Sequence, residues 1–301
     1  MKKEFILITG GTGFVGSHLV RKMQKDGYSL LLLTHNKLPD AESSGVKQWQ
    51  YTGDPNEIKI LFQTLKIKGV VHLATCFAPA HSYEQIPQMI ASNIELGTLL
   101  LDCACNAGVS FFLNIGTYWQ HYHGEAYNPV NLYAATKQAL EDIAAYYRII
   151  SDMKICTLCL NDTYGRGDTR KKIFPLWKEL AADPQRTMAM SAGEQIIDIL
   201  HIEDVVAGIM QLMKMMLIND TRISDNPSFY LSAKEKYSLR KTAEIFENIC
   251  GKKLNIQWGA RPYREREVMH PRCYGKPLPG WESRMSLADG IKDFLEVVDY
   301  E

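Results

Sequence analysis

The residues that most restrict what this chain can become stand near its start, Phe5-Ile-Leu-Ile-Thr-Gly10-Gly-Thr-Gly-Phe-Val-Gly16-Ser-His-Leu-Val20. Phe5 to Ile8 is a short apolar run with the length and composition of a buried strand. Glycines then recur at Gly10, Gly13 and Gly16, and Phe14, Val15, Leu19 and Met23 begin a helical rhythm. Strand, glycine turn and helix together make a phosphate cradle. Gly10 permits the tight turn, Gly13 lets the backbone approach a pyrophosphate, and Gly16 lets helix and strand pack closely. The helix N-terminus adds unpaired N–H groups and a partial positive charge. A glycine string of this spelling also arises by chance in ordinary turns, but the strand before it and the helix after it point to a dinucleotide site. Gly10, Thr12, Gly13, Phe14, Val15 and Gly16 are the cofactor-binding residues expected in this turn.

Composition narrows the partners. The 34 basic residues are matched by 34 acidic ones, so there is no electrostatic footprint for nucleic acid or an anionic membrane. The apolar stretch Gly208–Ile218 is too short to span a bilayer and is interrupted by Gln211 and Lys214. The first strand begins almost at Met1, leaving no room for a secretory signal, and seven cysteines form no framework spacing. A reducing, cytoplasmic setting is expected. Cys156-Thr-Leu-Cys159 has CxxC spacing, yet it lies in a strand-like run with no second pair, so buried thiols are expected and no metal site.

From residue 5 to about 160, apolar strand runs alternate with helical segments, the signature of an α/β fold with a doubly wound parallel sheet of the Rossmann type. The strand candidates are Phe5–Ile8, Leu30–Leu33, Gly69–Leu73, Phe111–Ile115 and Lys154–Leu160, with helices around Asn93–Cys105 and Leu132–Ile150. After Gly165 the alternation loosens into helices, short strands and loops such as Arg261-Pro-Tyr-Arg-Glu-Arg266. The expected division is a dinucleotide-binding domain over 1–165 and a smaller, mainly substrate-binding lobe over 166–301, with segments crossing back to the first.

An NAD site usually places Asp or Glu after the second strand to bond the ribose hydroxyls. Here that strand ends Leu33-Thr-His-Asn-Lys37, without a carboxylate. His35, Asn36 and Lys37 suit a 2′-phosphate instead, so NADP(H) is favoured, with NAD(H) as the alternative. Asp54, together with Leu73, Ala74 and Thr75 at the end of the Gly69–Leu73 run, completes the expected cofactor set.

The candidate chemistry lies downstream. Phe112-Leu-Asn-Ile-Gly-Thr117 ends one strand, and Tyr133-Ala-Ala-Thr-Lys137 opens a helix. Tyr133 and Lys137 are four apart and share a helical face. A phenol is a poor acid–base group at neutral pH because its reference pKa is about 10. A neighbouring ammonium, helped by an oxidised nicotinamide, stabilises the phenolate and brings that value toward working range. Thr117, at the carboxyl end of a parallel strand, sits where such sheets hold ligands. Its hydroxyl can bond the same substrate oxygen. Thr117, Tyr133 and Lys137 are the catalytic candidates.

These residues, in this order, resemble an extended short-chain dehydrogenase/reductase of the nucleotide-sugar epimerase/dehydratase family. The matching motifs are Thr9–Gly16, Val71-His-Leu-Ala74, Asn93, Thr117 and Tyr133-xxx-Lys137, followed by Tyr164-Gly165, Gly193–Asp198, His201-Ile-Glu-Asp204 and Pro279-Gly-Trp281. The resemblance implies a Rossmann domain with a C-terminal nucleotide-sugar lobe. It makes Tyr133 the acid/base, Lys137 its partner on the nicotinamide ribose, and Thr117 the third hydrogen-bonding member. It also implies a nucleotide-diphosphate-sugar partner and a homodimer.

Within the family, 4,6-dehydratases carry Asp-Glu directly after the catalytic Thr. Here Tyr118-Trp-Gln120 follows, so dehydration is disfavoured. Bifunctional epimerase/reductases use a Cys beside the catalytic hydroxyl residue, and none stands there. His121 and His123 are expected as solvated loop residues or as part of a sugar pocket, with a proton-shuttling role as the alternative. Leu160–Gly165 and Trp258–Met269 are most similar to reductases of CDP- or dTDP-linked 4-keto-6-deoxyhexoses that serve surface polysaccharides. Tyr118, Asp162, Lys172, Gln195 and Arg264, with Thr117, are the expected substrate contacts, and Arg264 matches the arginine expected on the diphosphate. One of Arg261 and Arg266 is expected to pair with Glu265 or Glu267. Ile197 stands where the family often has Arg, a contact that Arg261 or Lys172 would replace. Asp162 stands where epimerases often have Asn, with Arg166 or Arg170 expected to screen its charge. The expected activity is an NADP(H)-dependent 4-ketoreductase. The alternatives are an NAD-retaining 4-epimerase and a dinucleotide-sensing protein without catalysis, the second opposed by the presence of both Tyr133 and Lys137.

Overall fold

The computed structural model describes residues 3–36, 45–224 and 227–296. The first half alternates strand and helix: β1 (Glu4–Thr9), α1 (Phe14–Lys25), β2 (Leu30–Thr34), β3 (Lys47–Gln50), α2 (Pro55–Thr64) and β4 (Lys66–His72), then α3 (Ile86–Ile90), α4 (Leu96–Asn106), β5 (Phe111–Thr117), α5 (Leu132–Ile150) and β6 (Lys154–Leu160). The second half contributes β7 (Asp162–Tyr164), α6 (Ile173–Ala182), β8 (Met188–Met190), β9 (Ile196–Ile197), β10 (Ile199–His201) and α7 (Ile202–Leu217), then β11 (Ser228–Tyr230), β12 (Tyr237–Ser238), α8 (Leu239–Cys250), β13 (Ile256–Trp258), β14 (Lys276–Pro277) and α9 (Leu287–Leu295).

Eight strands form one parallel sheet in the order β14-β11-β6-β5-β4-β1-β2-β3. Strand residues alternate between its faces, and both faces are covered, which is why the strands read as continuous apolar runs. Ile6, Ile8, Leu30, Leu32, Val71 and Leu113 pack with α1 and α7, whereas Phe5, Leu7, Leu31, Leu33, Val70 and Phe112 pack with α2, α4 and α5. A separate core joins α6, α8 and α9 through Phe174, Trp177, Phe246 and Phe294. Three two-stranded ladders, β10-β7, β12-β9 and β13-β8, connect this smaller lobe.

β11, β14 and α7 lie after residue 165 yet complete the large sheet and one of its helical layers. The helix expected around Asn93–Cys105 is present as α4 and runs on upstream through a π turn into α3. That turn, over Ala91–Glu95, separates α3 from α4. Its cause is Asn93, fully buried, whose side chain reaches out of the helix: Oδ1 accepts from the Cys76 N–H (2.7 Å) and the Thr75 hydroxyl (3.0 Å), and Nδ2 donates to Cys76 O (3.0 Å) and Thr136 Oγ1 (2.9 Å). Such bulges commonly accompany functional sites. This one ties the loop after β4 to α5.

Candidate active site

The glycine turn opens a cavity of about 860 Å³ along the carboxyl ends of the strands. Gly10 has φ +68°, and a Cβ there would lie 2.6 Å from Ala74 N. A Cβ at Gly16 would stand 2.1 Å from Gly10 O, so the turn closes only because both side chains are absent. Gly13 caps α1 without a side-chain hydrogen bond, leaving backbone donors of the helix start facing the cavity. Thr12, Phe14 and Val15 line this end with Gly10, Gly13 and Gly16. Leu73, Ala74 and Thr75 line its floor.

His35 also lines the cavity, at the end of β2. Its Nδ1 lies 3.0 Å from Tyr51 O, and a carbonyl can only accept, so Nδ1 carries a proton and, in the neutral ring, Nε2 is the acceptor nitrogen. Asn36 and Asp54 do not line the cavity. Asp54 is spent on structure: its carboxylate accepts from Asn56 N (2.9 Å) and caps α2. Tyr51, which the sequence reading passed over, lines the site in that region. Lys37 lies outside the described residues.

The catalytic candidates meet at the other end of the same cavity. Asn131 caps α5, its side chain accepting from Ala134 N (2.9 Å), and this places Tyr133 in the first helical turn and Lys137 one turn on. Thr117 ends β5 and caps a single 3-10 turn, Tyr118–Gln120. The Thr117 oxygen accepts from the N–H of Trp119 (3.4 Å), which leaves the hydroxyl proton free for an incoming oxygen. Tyr133 and Thr117 line the cavity, and Lys137 is buried behind them.

Among the chain's own groups, burial dominates the electrostatics of the pair. The phenol of Tyr133 is pushed up to about 12 by burial, with a hydrogen bond to Thr75 pulling the other way. Lys137 is pushed down to about 8 by burial, opposed by Cys159 and Glu141. Desolvation favours the neutral form of each.

The substrate-side residues divide. Tyr118, Asp162 and Lys172 line the cavity, whereas Gln195 and Arg264 do not. Asp162 accepts from Lys172 Nζ (3.2 Å) and from the Tyr118 hydroxyl (3.4 Å). Lys172 therefore screens it. Arg166 is drawn away to Asp293 (2.8 Å) and Glu296, and Arg170 to Asp168 (2.7 Å), because each has a closer carboxylate. Arg170 nevertheless lines the cavity and lies 4.2 Å from the ring centre of Phe14, beside the glycine turn. Gln195 and Ser191 bond each other (3.2 Å), and Arg264 lies over Trp119 at 5.8 Å. Among the described residues Arg261 and Arg266 make no ion pair with Glu265 or Glu267; Arg266 bonds Asn128 and covers Tyr122. His121 is buried, not solvated, and stacks on Tyr274 at 4.1 Å, while His123 is exposed with φ 59°. Cys156 and Cys159 are buried, and no group of potential metal ligands occurs among the described residues.

Two further cavity residues, to which no motif pointed, pack around Tyr133. Phe77 meets the Tyr133 ring edge-on at 5.0 Å and carries Lys172 at 4.4 Å on its ring. Trp119 stands 6.5 Å from Tyr133 on another side. Their only signal was an aromatic in the loop after β4 and another two residues past Thr117.

Glycine turn, strand-end hydroxyl and a buried Tyr–Lys pair on the helix beside it mark an α/β protein of the dinucleotide-binding type. The chain belongs to the NAD dependent epimerase/dehydratase family, whose model matches residues 6–221. It is 24% identical to a CDP-abequose synthase of Salmonella typhimurium, over 98% of this chain and 98% of that protein. Its fold is similar to that of the Thermotoga maritima UDP-glucose 4-epimerase solved with UDP-glucose (TM-score 0.80, 20% identity, 96% of each chain). The Thermus thermophilus UDP-glucose 4-epimerase solved with NAD is similar too (TM-score 0.79, 20% identity, covering 96% of this chain and 97% of that one).

Proposed function

We propose that the chain is a 4-ketoreductase of a CDP- or dTDP-activated 4-keto-6-deoxyhexose, using NADPH, in the making of sugars for surface polysaccharides. One observation carries the reading. The turn that presents Thr117 continues with Tyr118 and Trp119, aromatic and half-buried to buried, so no carboxyl pair follows Thr117 for eliminating water, while Tyr133 lines the same cavity. Similarity to CDP-abequose synthases over the whole chain supports it. The glycine turn, which any Cβ at Gly10 or Gly16 would fill, fits a dinucleotide pyrophosphate, with Arg170 as a nearby cation.

A reduced nicotinamide, when bound, supplies the hydride. The chain's own residues do the rest. Thr117 donates a hydrogen bond to the substrate carbonyl oxygen. Tyr133 gives that oxygen its proton as the alkoxide forms, a task for which a phenol held protonated by burial is ready in the reductive direction. Lys137 stands one turn behind, and the N-terminus of α5 adds partial positive charge to favour the phenolate left behind. Phe77 and Trp119 keep water away from the phenol.

A second reading, an NAD-retaining 4-epimerase, is favoured by His35: with Nδ1 donating to Tyr51 O, the other nitrogen of the neutral ring is an acceptor, suited to a ribose hydroxyl. One experiment separates the two. Purified protein is mixed with NADPH or NADH and CDP-, dTDP- and GDP-4-keto-6-deoxyhexoses, following reduced-nicotinamide absorbance. Stoichiometric oxidation with one sugar establishes the reductase; none, with NAD recovered from denatured protein, moves the assignment to the epimerase.

A further inference from the structure

Thr117 and Tyr133 belong to different elements, the end of β5 and the start of α5, yet they must converge on one substrate oxygen. Side-chain hydrogen bonds span that junction at Gln120. It is 1% exposed, so its amide is committed wholly to protein partners. Its Oε1 accepts from the Thr117 backbone N–H at 2.8 Å, and its Nε2 donates to Gln138 Oε1 at 3.2 Å. Gln138 follows Lys137 directly on α5 and is itself held by donating to Asp142 Oδ1 (3.0 Å). The bond to Thr117 is one half of a reciprocal cap: the Thr117 oxygen accepts from the turn's backbone while Gln120 accepts from Thr117 N. That reciprocity fixes the rotamer of the hydroxyl side chain as well as its backbone. Gly116 makes room for the arrangement, since a Cβ there would stand 2.7 Å from Gln120 Oε1.

We infer that Gln120 is a positioning residue that sets the distance between the Thr117 hydroxyl and the Tyr133–Lys137 helix through its two amide hydrogen bonds. The inference rests on Thr117 and Tyr133 acting together, as in the proposed reaction. A displacement of the order of 1 Å in a group that must meet a reacting atom can cost about 10²-fold in rate. Removing the amide should therefore slow turnover while leaving the dinucleotide end of the cavity intact.

The test has a kinetic and a non-kinetic arm. Gln120→Leu should lower kcat by ~10- to 10²-fold with KM and NADPH affinity nearly unchanged. Gln120→Glu keeps an oxygen for Thr117 N–H, and a carboxyl held protonated by this burial can donate its O–H to Gln138 Oε1, so most of the rate should return. In a Thr117→Val background, where the hydroxyl is already gone, Gln120→Leu should slow turnover by no more than about 2-fold. Equal slowing in both backgrounds marks a merely structural residue and overturns the inference. If Gln120→Leu does not fold, Gln138→Leu removes only the far anchor and is read the same way. Independently of any substrate, amide exchange at Thr117, followed by NMR, should rise at least ~10-fold in Gln120→Leu or Gln138→Leu relative to core strand amides. Unchanged exchange with additive kinetics overturns the brace and leaves the reductase standing. A wild type that reduces no keto-sugar but shows the exchange response overturns the reductase and leaves the brace.

Discussion

The two ends of the cavity are built by different means. At the glycine end the shape is backbone: Gly10 at φ +68° and Gly16 against Gly10 O leave no alternative side chain. At the chemical end the shape is side chain on side chain, with Phe77, Trp119, Gln120, Asp162 and Lys172 arriving from loops and turns far apart in sequence. The first end tolerates almost no substitution and varies little in what it can bind. The second can be rebuilt one residue at a time, and it is where specificity for a sugar and a reaction has to reside.

The sharpest break between the ends is Tyr133→Phe. It removes the proposed proton donor without touching the glycine turn, so kcat should fall by ~10²–10⁴-fold while NADPH affinity, read by fluorescence titration, stays within a factor of a few. Retained turnover would end the assignment of Tyr133.

Lys137→Met probes the cost of building that end. Folded Lys137, at about 8, and an unfolded lysine, at about 10.4, are both protonated at pH 7, so the native state carries the full penalty of a buried ammonium. Between those values the unfolded chain binds more protons, and stability rises with pH across the window. Met fills similar space without charge. The variant should melt a few degrees higher than wild type at pH 7, by about 3 kcal/mol at most, with the advantage shrinking from pH 8 to pH 10.4. It should also be slower. A variant less stable at neutral pH would contradict the buried, unpaid charge.

Gly16→Ala addresses the other end. Its Cβ would sit 2.1 Å from Gly10 O, whereas one at Gly13 would sit 3.3 Å from the same atom. Gly16→Ala should cost about 1–3 kcal/mol in stability and weaken NADPH at least ~10-fold, with kcat at saturation less affected. Gly13→Ala should be milder in melting temperature. Equal effects would mean that the turn flexes.

Backbone-determined features could be read in advance for this reason. The glycine turn, the extents of α5 and β6, and the i,i+4 pair follow from local rules, since each depends on residues within a few positions. What escaped depends on long-range side-chain contacts. Asn93 widens a helix into a π turn by bonding Cys76 and Thr136, Asp54 is diverted to a helix cap, and Arg166 is taken by Asp293. The strands β11 and β14 are too short for a periodic signal and join the sheet from beyond residue 220. Tyr133 and Lys137 were recognisable by type and spacing, but the dry surroundings that set their protonation come from rings and strands that no local pattern reveals.

The finest distinction between the ends is charge at the substrate side. Asp162 and Lys172 are each about one-third exposed and joined at 3.2 Å, a pair whose net worth to stability is small. Its consequence for binding is larger, because the carboxylate occupies a cation that a substrate diphosphate would otherwise use. Asp162→Asn keeps an oxygen for the Tyr118 hydroxyl, removes one negative charge and frees Lys172. Substrate KM should fall by about 2- to 5-fold, more at low salt than at high, with melting temperature almost unmoved. Lys172→Met should raise KM by a similar factor, and in the double variant the gain from Asp162→Asn should shrink, since no cation remains to be released. If Asp162→Asn raises KM instead, the carboxylate itself accepts a hydrogen bond from the sugar, and Lys172 serves to orient it instead of competing for it.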